Sequence, residues 1–156
     1  MKKILLTLFI LFLGLGAIAG EKEDALSFFN NFVSASNSYS ASLLNMYSDN
    51  AKITRQVVKP DGKLVNAYFS IDDYKKQMRI SSKLAKLKNY KNFYSDINVT
   101  KVANGYKIEA KRKPSGETYK LKAAMVVQKQ PSGKWLIVEE LMQTKEQIFL
   151  KYAHKE

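Results

Sequence analysis

The sequence predicts an α+β domain in which helices pack against a strongly curved, mostly antiparallel sheet, in the order ααββαββββ. Three observations predict it. Apolar residues at helical spacing fill Glu23–Val33 and recur in Ala41–Tyr47, ahead of any strand. A capped, lysine-rich helical pattern follows a single hairpin. From Phe93 onward, alternating segments are separated by glycine-bearing turns.

In the first helix Leu26, Phe29 and Val33 share one face, and Phe28 and Phe32 widen the stripe. Ser34-Ala35-Ser36-Asn37-Ser38 reads as a break. The short second helix carries Leu43, Leu44 and Tyr47 and stops at Ser48-Asp49-Asn50. Ala51, Ile53, Arg55 and Val57 then share one face of a strand. The Asp61-Gly62 turn joins it to a second strand, Leu64–Phe69, as a hairpin. Ser70 is placed to N-cap the third helix, with Asp73 at the capping-box position and both Asp72 and Asp73 at the positive helix end. That helix extends to Lys88, with an apolar side of Ile71, Tyr74, Met78, Ala85 and the Ile80-Leu84-Leu87 row.

In the meander, Phe93, Ile97 and Val99 alternate with Tyr94, Asp96 and Asn98, and Asn104-Gly105 is the strongest hairpin signal. Tyr106, Ile108 and Ala110 alternate with Lys107, Glu109 and Lys111. Pro114-Ser115-Gly116 turns into a strand over Thr118–Gln128, and Pro131-Ser132-Gly133 into one over Trp135–Met142. Ile148–Tyr152 is an apolar patch in the tail, fit for a closing half-turn or a dimer contact. No internal repeat, low-complexity run or linker interrupts the chain.

The N-terminus predicts where the protein works. Met1-Lys2-Lys3 is basic, Ile4–Leu15 is apolar but for Thr7 and Gly14, and Ala17-Ile18-Ala19 is the small-x-small pattern of a cleavage site. Gly20-Glu21-Lys22-Glu23-Asp24 then turns abruptly polar. Residues 1–19 read as a signal peptide cut after Ala19, residues 20–144 as a single domain and 145–156 as a C-terminal tail. The protein is expected to be periplasmic or secreted. The rival is an uncleaved membrane anchor, since Ile4–Ala19, at sixteen residues, approaches the length that spans a bilayer.

Without its first 19 of 156 residues the chain keeps 137, enough for one domain with one core. It keeps 24 basic and 14 acidic residues, a net charge of +10. That balance suits anionic lipid headgroups, polyanionic envelope polymers or an acidic protein surface, and serves solubility in any case. Nucleic acid ranks low as a partner of an exported protein. There is no cysteine, so disulfides, a thiol nucleophile, thiolate metal sites and a lipoprotein anchor are all excluded. The single histidine, His154, lies in the charged tail, which argues against a three-histidine zinc site and a Ser-His-Asp triad. No metal and no cofactor is implied. Asn98-Val99-Thr100 matches a glycosylation sequon, to which no role is assigned.

The run from Leu43 to Ile53, Leu-Leu-Asn-Met-Tyr-Ser-Asp-Asn-Ala-Lys-Ile, resembles a junction in the nuclear-transport-factor-2-like superfamily, where it joins the second helix to the first strand. The run from Ser132 to Glu140 resembles that family's closing strand, a turn glycine followed by tryptophan and alternating aliphatics. The element order matches over Glu21–Thr144. The resemblance implies a cystatin-like, cone-shaped barrel: a curved sheet around the first helix, with an open mouth leading to an apolar pocket. Its members include isomerases, dehydratases, polyketide cyclases, non-catalytic ligand binders and assembly modules of secretion systems, and they often dimerise through the open face of the sheet. The family's enzymes generally hold an aspartate-tyrosine or aspartate-histidine set in the pocket. No aspartate here falls on a clearly inward strand position, which lowers the catalytic reading.

Strand phase nominates polar pocket residues. Arg55 shares a face with Ile53 and Val57, and Glu139 with Trp135, Ile137 and Leu141, so both are expected to point inward and pair or meet a polar ligand. A solvated position near the mouth is the bland alternative. Tyr68, Tyr94, Tyr106 and Tyr119 lie on expected strands, and Tyr68 and Tyr106 join the ligand-binding set, although tyrosines more often serve packing. Lys75, Lys76, Arg79, Lys83 and Lys86 form a helix face suited to an anionic surface, or simply a solvated one. The first expectation is therefore an exported, non-enzymatic binding or assembly module for a small apolar or amphipathic ligand or an envelope protein. The alternatives are a small lyase or isomerase working through a pocket carboxylate and tyrosines, and a scaffold subunit of an envelope secretion system. A homodimer is expected from the resemblance alone.

Overall fold

The computed structural model describes residues 2–153, with side chains from Gly20 onward. His154 and the side chains of the cleavage motif therefore lie outside the described residues. Helix α1 spans Lys2–Asn37 and α2 spans Ile71–Leu87. The strands are β1 (Tyr47–Val58), β2 (Leu64–Phe69), β3 (Asn92–Val102), β4 (Gly105–Pro114), β5 (Leu121–Lys129) and β6 (Trp135–Thr144). They form one sheet in the order β2-β1-β6-β5-β4-β3. Every pairing is antiparallel except that of β1 with β6, which is parallel. The sheet is curved and unclosed, with β2 and β3 as its edges.

Helix α1 lies on the concave face. Ala25, Phe29 and Phe32 repeat at helical spacing and are buried against Ile53, Val99, Ile108, Met125, Val127 and Ile137 of the sheet. Fully burying one such aliphatic contributes about 1.5–3 kcal/mol. The expected first helix, Glu23–Val33, is thus part of the C-terminal half of a longer one. Its end is set by Asn37, whose carboxamide bonds both the N–H and the C=O of Asn92 at 2.9 Å. Tyr39 then turns the chain in the left-handed region.

The expected second α-helix is a 3₁₀ helix, Ala41–Met46, with Ser40 accepting from the N–H of Ser42. Six residues are too few to repay α-helix nucleation. Tyr47 and Ser48-Asp49-Asn50 belong to β1 rather than to a helix and its stop. The other helix behaves as its caps predict: Ser70 accepts from the N–H of Asp73 and donates to the Asp73 carboxylate at 2.7 Å. Its apolar side is only half used. Ile71, Tyr74 and Met78 pack on the core, while Ile80, Leu84 and Leu87 are exposed.

Two bulges reverse the expected strand phase. Val127 pairs with Ile137 but Val126 with Glu139, so Val138 is an extra residue in β6. Inward positions are Ile137 before it and Glu140, Met142 and Thr144 after it. In β3 the register shifts between Ser95 and Asn98, with Asp96 at a positive φ. Tyr94 therefore faces the core instead of Phe93, Phe93 and Ile97 are exposed, and Val99 is buried. Tyr119 precedes β5 rather than lying on it. The tail forms a second 3₁₀ helix, Gln147–Tyr152, whose Phe149 ring meets Phe69 edge-on at 5.8 Å and whose Tyr152 ring lies tilted against it at 4.6 Å. It is a closing half-turn.

The hairpin loop between β3 and β4 is Ala103-Asn104, and Gly105 is the first residue of β4, paired with Val102. Its φ is +150°, and a Cβ there would collide with the Val127 carbonyl oxygen. Gly105→Ala is expected to lower stability by about 2 kcal/mol or more, read as a reduced urea midpoint with an unchanged m-value.

Candidate functional site

The inward phase of β1 places Arg55 beneath α2, and the bulge in β6 brings Glu140 opposite it. The guanidinium Nη1 lies 2.7 Å from Glu140 Oε1, and the carboxylate side chain is fully buried. Two phenols complete the group. Tyr47, at the start of β1, donates to Glu140 Oε2 at 2.5 Å, and Tyr74, on α2, donates to Glu140 Oε1 at 3.2 Å. Arg55 Nη2 donates to the Tyr74 hydroxyl at 2.5 Å, and its Cζ sits 4.8 Å from the Tyr74 ring centroid. A buried ion pair is tolerated when its remaining lone pairs are satisfied, and here both carboxylate oxygens are.

The environment fixes the protonation of the phenols. Burial and the adjacent Glu140 charge push the Tyr47 pKa well up. Burial raises that of Tyr74 to about 12, with Arg55 opposing and Glu140 assisting. Burial also raises Tyr94, whose ring meets that of Phe29 edge-on at 5.3 Å. For Arg55, burial works against the charge, but Tyr74 and Glu140 outweigh it and the pKa rises.

Between the concave sheet, α2 and the two 3₁₀ helices lies a cavity of about 910 Å³. Phe32, Leu43, Leu44, Met78, Leu84 and Phe149 supply apolar wall, and Tyr47, Arg55 and Tyr74 a polar patch. Glu140 lies behind that patch and is not among the lining residues. Across two intervening strands, on β4, Arg112 and neighbouring Tyr90, Tyr94 and Tyr119 line another part of the wall.

Of the residues nominated for ligand binding, Arg55 lines the cavity and Glu139, Tyr68 and Tyr106 do not; Arg79, nominated for a surface contact, stands on the cavity's wall as well. Glu139 points outward, 54% exposed, with Lys52 at 3.8 Å; the extra residue Val138 moves Glu140 into its expected place. Tyr68 is half exposed on the edge strand β2, accepting from Asn66 at 3.3 Å. Tyr106 is buried against Trp135 at 6.0 Å, in the core rather than along the cavity. Lys75 folds onto Asp49 at 3.3 Å, whereas Lys76, Arg79, Lys83 and Lys86 are exposed.

Sequence reasoning missed Glu140, Tyr47 and Tyr74 as polar groups. It also missed Arg112, although alternation through Tyr106, Ile108 and Ala110 leads straight to it. Among the described residues no cluster of three metal-ligating side chains occurs.

No protein-family model matches the sequence, and no curated protein matches it. Solved structures do resemble it. A protein of Novosphingobium aromaticivorans, described as nuclear-transport-factor-2-like with a cystatin-like fold, superposes with a TM-score of 0.65 at 10% identity, over 86% of this chain and 88% of that one. The chain has the nuclear-transport-factor-2-like fold. A second protein so described, of unknown function and from Pseudomonas putida, gives a TM-score of 0.61 at 10% identity over 81% of this chain and 87% of that one. A candidate ketosteroid isomerase of Shewanella frigidimarina gives 0.54 at 16% identity over 74% and 91%. Identities this low carry the fold and leave the function to the site.

Two expectations follow from the polar cluster. Glu140→Gln leaves Arg55 buried without a counter-charge and is expected to cost about 3 kcal/mol or more. Glu139→Gln removes an exposed pair and should stay within about 0.5 kcal/mol. Urea unfolding of both variants checks this; equal effects would restore Glu139 as the inward carboxylate. The second concerns alkaline pH. With a Tyr74 pKa raised from 10.0 to about 12, its contribution is intact below about pH 10 and is lost as pH climbs through 12. In a spectrophotometric titration of the folded protein at about pH 11, Tyr47, Tyr74 and Tyr94 should remain protonated while urea-unfolded chain ionises throughout.

Proposed function

We propose that this domain is an exported, non-enzymatic binding module whose cavity holds a small apolar or amphipathic ligand. The observation that carries the reading is a cavity of about 910 Å³, with apolar wall from α1, α2 and both 3₁₀ helices and buried polar groups at Arg55 and Arg112. Dedicated ligand sites occupy roughly 300–1,000 Å³ and share that composition.

The lyase or isomerase reading draws support from the structural similarity to the candidate ketosteroid isomerase. Against it stands the state of Glu140, the only buried carboxylate among the described residues. Both its oxygens are engaged by Arg55, Tyr74 and Tyr47, so it is held as a structural anion rather than offered to a substrate proton. The exposed cations of α2, Lys76, Arg79, Lys83 and Lys86, belong to the same proposal as a contact for an anionic envelope surface.

Mass spectrometry of the protein recovered from its native envelope tests these points together. The denatured mass should lack residues 1–19, and the native mass should carry a discrete adduct on the order of a few hundred daltons, the size such a cavity admits. An adduct of anionic phospholipid instead would support the surface contact. An empty, cleaved dimer would replace ligand binding with protein contacts, and an uncleaved chain would put the membrane-anchored scaffold first.

A further inference from the structure

We infer that the cavity selects amphiphiles with a single anionic head, and that Arg112 is the residue that reads the charge. The inference rests on the ligand-binding proposal above and adds the chemical class of the ligand. Arg112 continues the inward face of β4 and is only 8% exposed. Its hydrogen-bond partners are all neutral. Nη1 donates to Asn92 Oδ1 at 2.8 Å and to the Tyr90 hydroxyl at 3.5 Å, and Nη2 donates to the Gln143 carbonyl at 2.6 Å. Nε is buried with no partner. Among the described residues no carboxylate lies within ion-pair distance of it, in contrast to Arg55, whose charge is met by Glu140.

A guanidinium cannot shed its proton, so a buried one without a counter-charge carries an unrelieved desolvation cost. Five N–H groups with three acceptors leave two without one, Nε–H among them. That is the donor inventory a carboxylate accepts in bidentate form. Arg112 is also a lining residue of the cavity. The nearest rim charges do not remove the need. Glu117 and Glu146 are exposed and make no ion pair among the described residues, and Lys145 on the same rim is a cation stacked on Tyr119 at 4.0 Å. The head group would sit at Arg112, and the apolar chain would run along Phe32, Leu43, Met78 and Phe149.

Calorimetric titration of the full mature chain with decanoate, 1-decanol and decyltrimethylammonium tests this. Decanoate is expected to bind about tenfold or more tighter than decanol, the size of one charge-assisted contact. In Arg112→Gln that preference should vanish while decanol affinity holds. Should Arg112→Gln not fold, the wild-type protein supplies a second reading. Its Arg112 Nε–Hε cross-peak in a nitrogen-15 correlation spectrum should shift with decanoate and stay put with decanol. Equal affinity for decanoate and decanol, an unmoved cross-peak, or a preference that survives Arg112→Gln would overturn the inference while leaving the pocket reading intact. Binding of none of the three probes would overturn both.

Discussion

The buried pair of Arg55 and Glu140 is the constraint around which the rest of this domain is arranged. A carboxylate with no exposed surface is tolerable only if its charge and its lone pairs are all met. Meeting them brings three partners from separate places in the chain to Glu140. Arg55 comes from the middle of β1, Tyr47 from its first residue, Tyr74 from α2, and Glu140 from the last strand. The pair therefore sets the parallel register of β1 and β6 and ties α2 to the sheet at one point. Beyond Tyr74 the helix turns only part of its apolar surface inward, so the space beneath it stays open. The polar cluster and the cavity are two outcomes of one packing decision.

Much of the fold was legible in the sequence, because its signals were local. The Ser70 cap, the Asp61-Gly62 and Pro131-Ser132-Gly133 turns and the alternation in β4 each act within a few residues, and together they give the order of two strands, a helix and four strands. Arg55 was legible as inward for the same reason: no irregularity separates it from Ile53 and Val57. Glu140 was not. Alternation assumes an unbroken strand, and a single extra residue at Val138 exchanges the two faces, so the neighbouring glutamates swap roles. The register shift at Asp96 does the same to Phe93 and Tyr94. Bulges arise from pairing with another strand, which a local pattern does not contain. Arg112 is a different kind of omission. Its phase was readable, but a lone arginine among Lys111 and Lys113 looks like one more surface cation until its burial is seen.

The two arginines that β-strands bring to the cavity, Arg55 and Arg112, make a useful contrast. Both sit on inward strand faces and both are largely buried, yet one is matched by a carboxylate and the other by neutral oxygens only. A fold under selection for stability alone would treat them alike. Keeping one cation unmatched beside an apolar cavity leaves a standing electrostatic preference there. The exposed Ile80, Leu84 and Leu87 on α2 show a similar asymmetry, since the helix keeps apolar surface that the core does not use.

The parallel seam between β1 and β6 has a further consequence, one of timing. Strand β1 is the first strand to leave the ribosome and β6 the last, so for most of synthesis β1 has only β2 beside it. Until Glu140 arrives, Arg55 stays hydrated and α2 lacks the anchor that Tyr74 provides. Contacts so distant along the chain form late and make folding slow. The seam between β1 and β6 thus closes only after the last strand has been made.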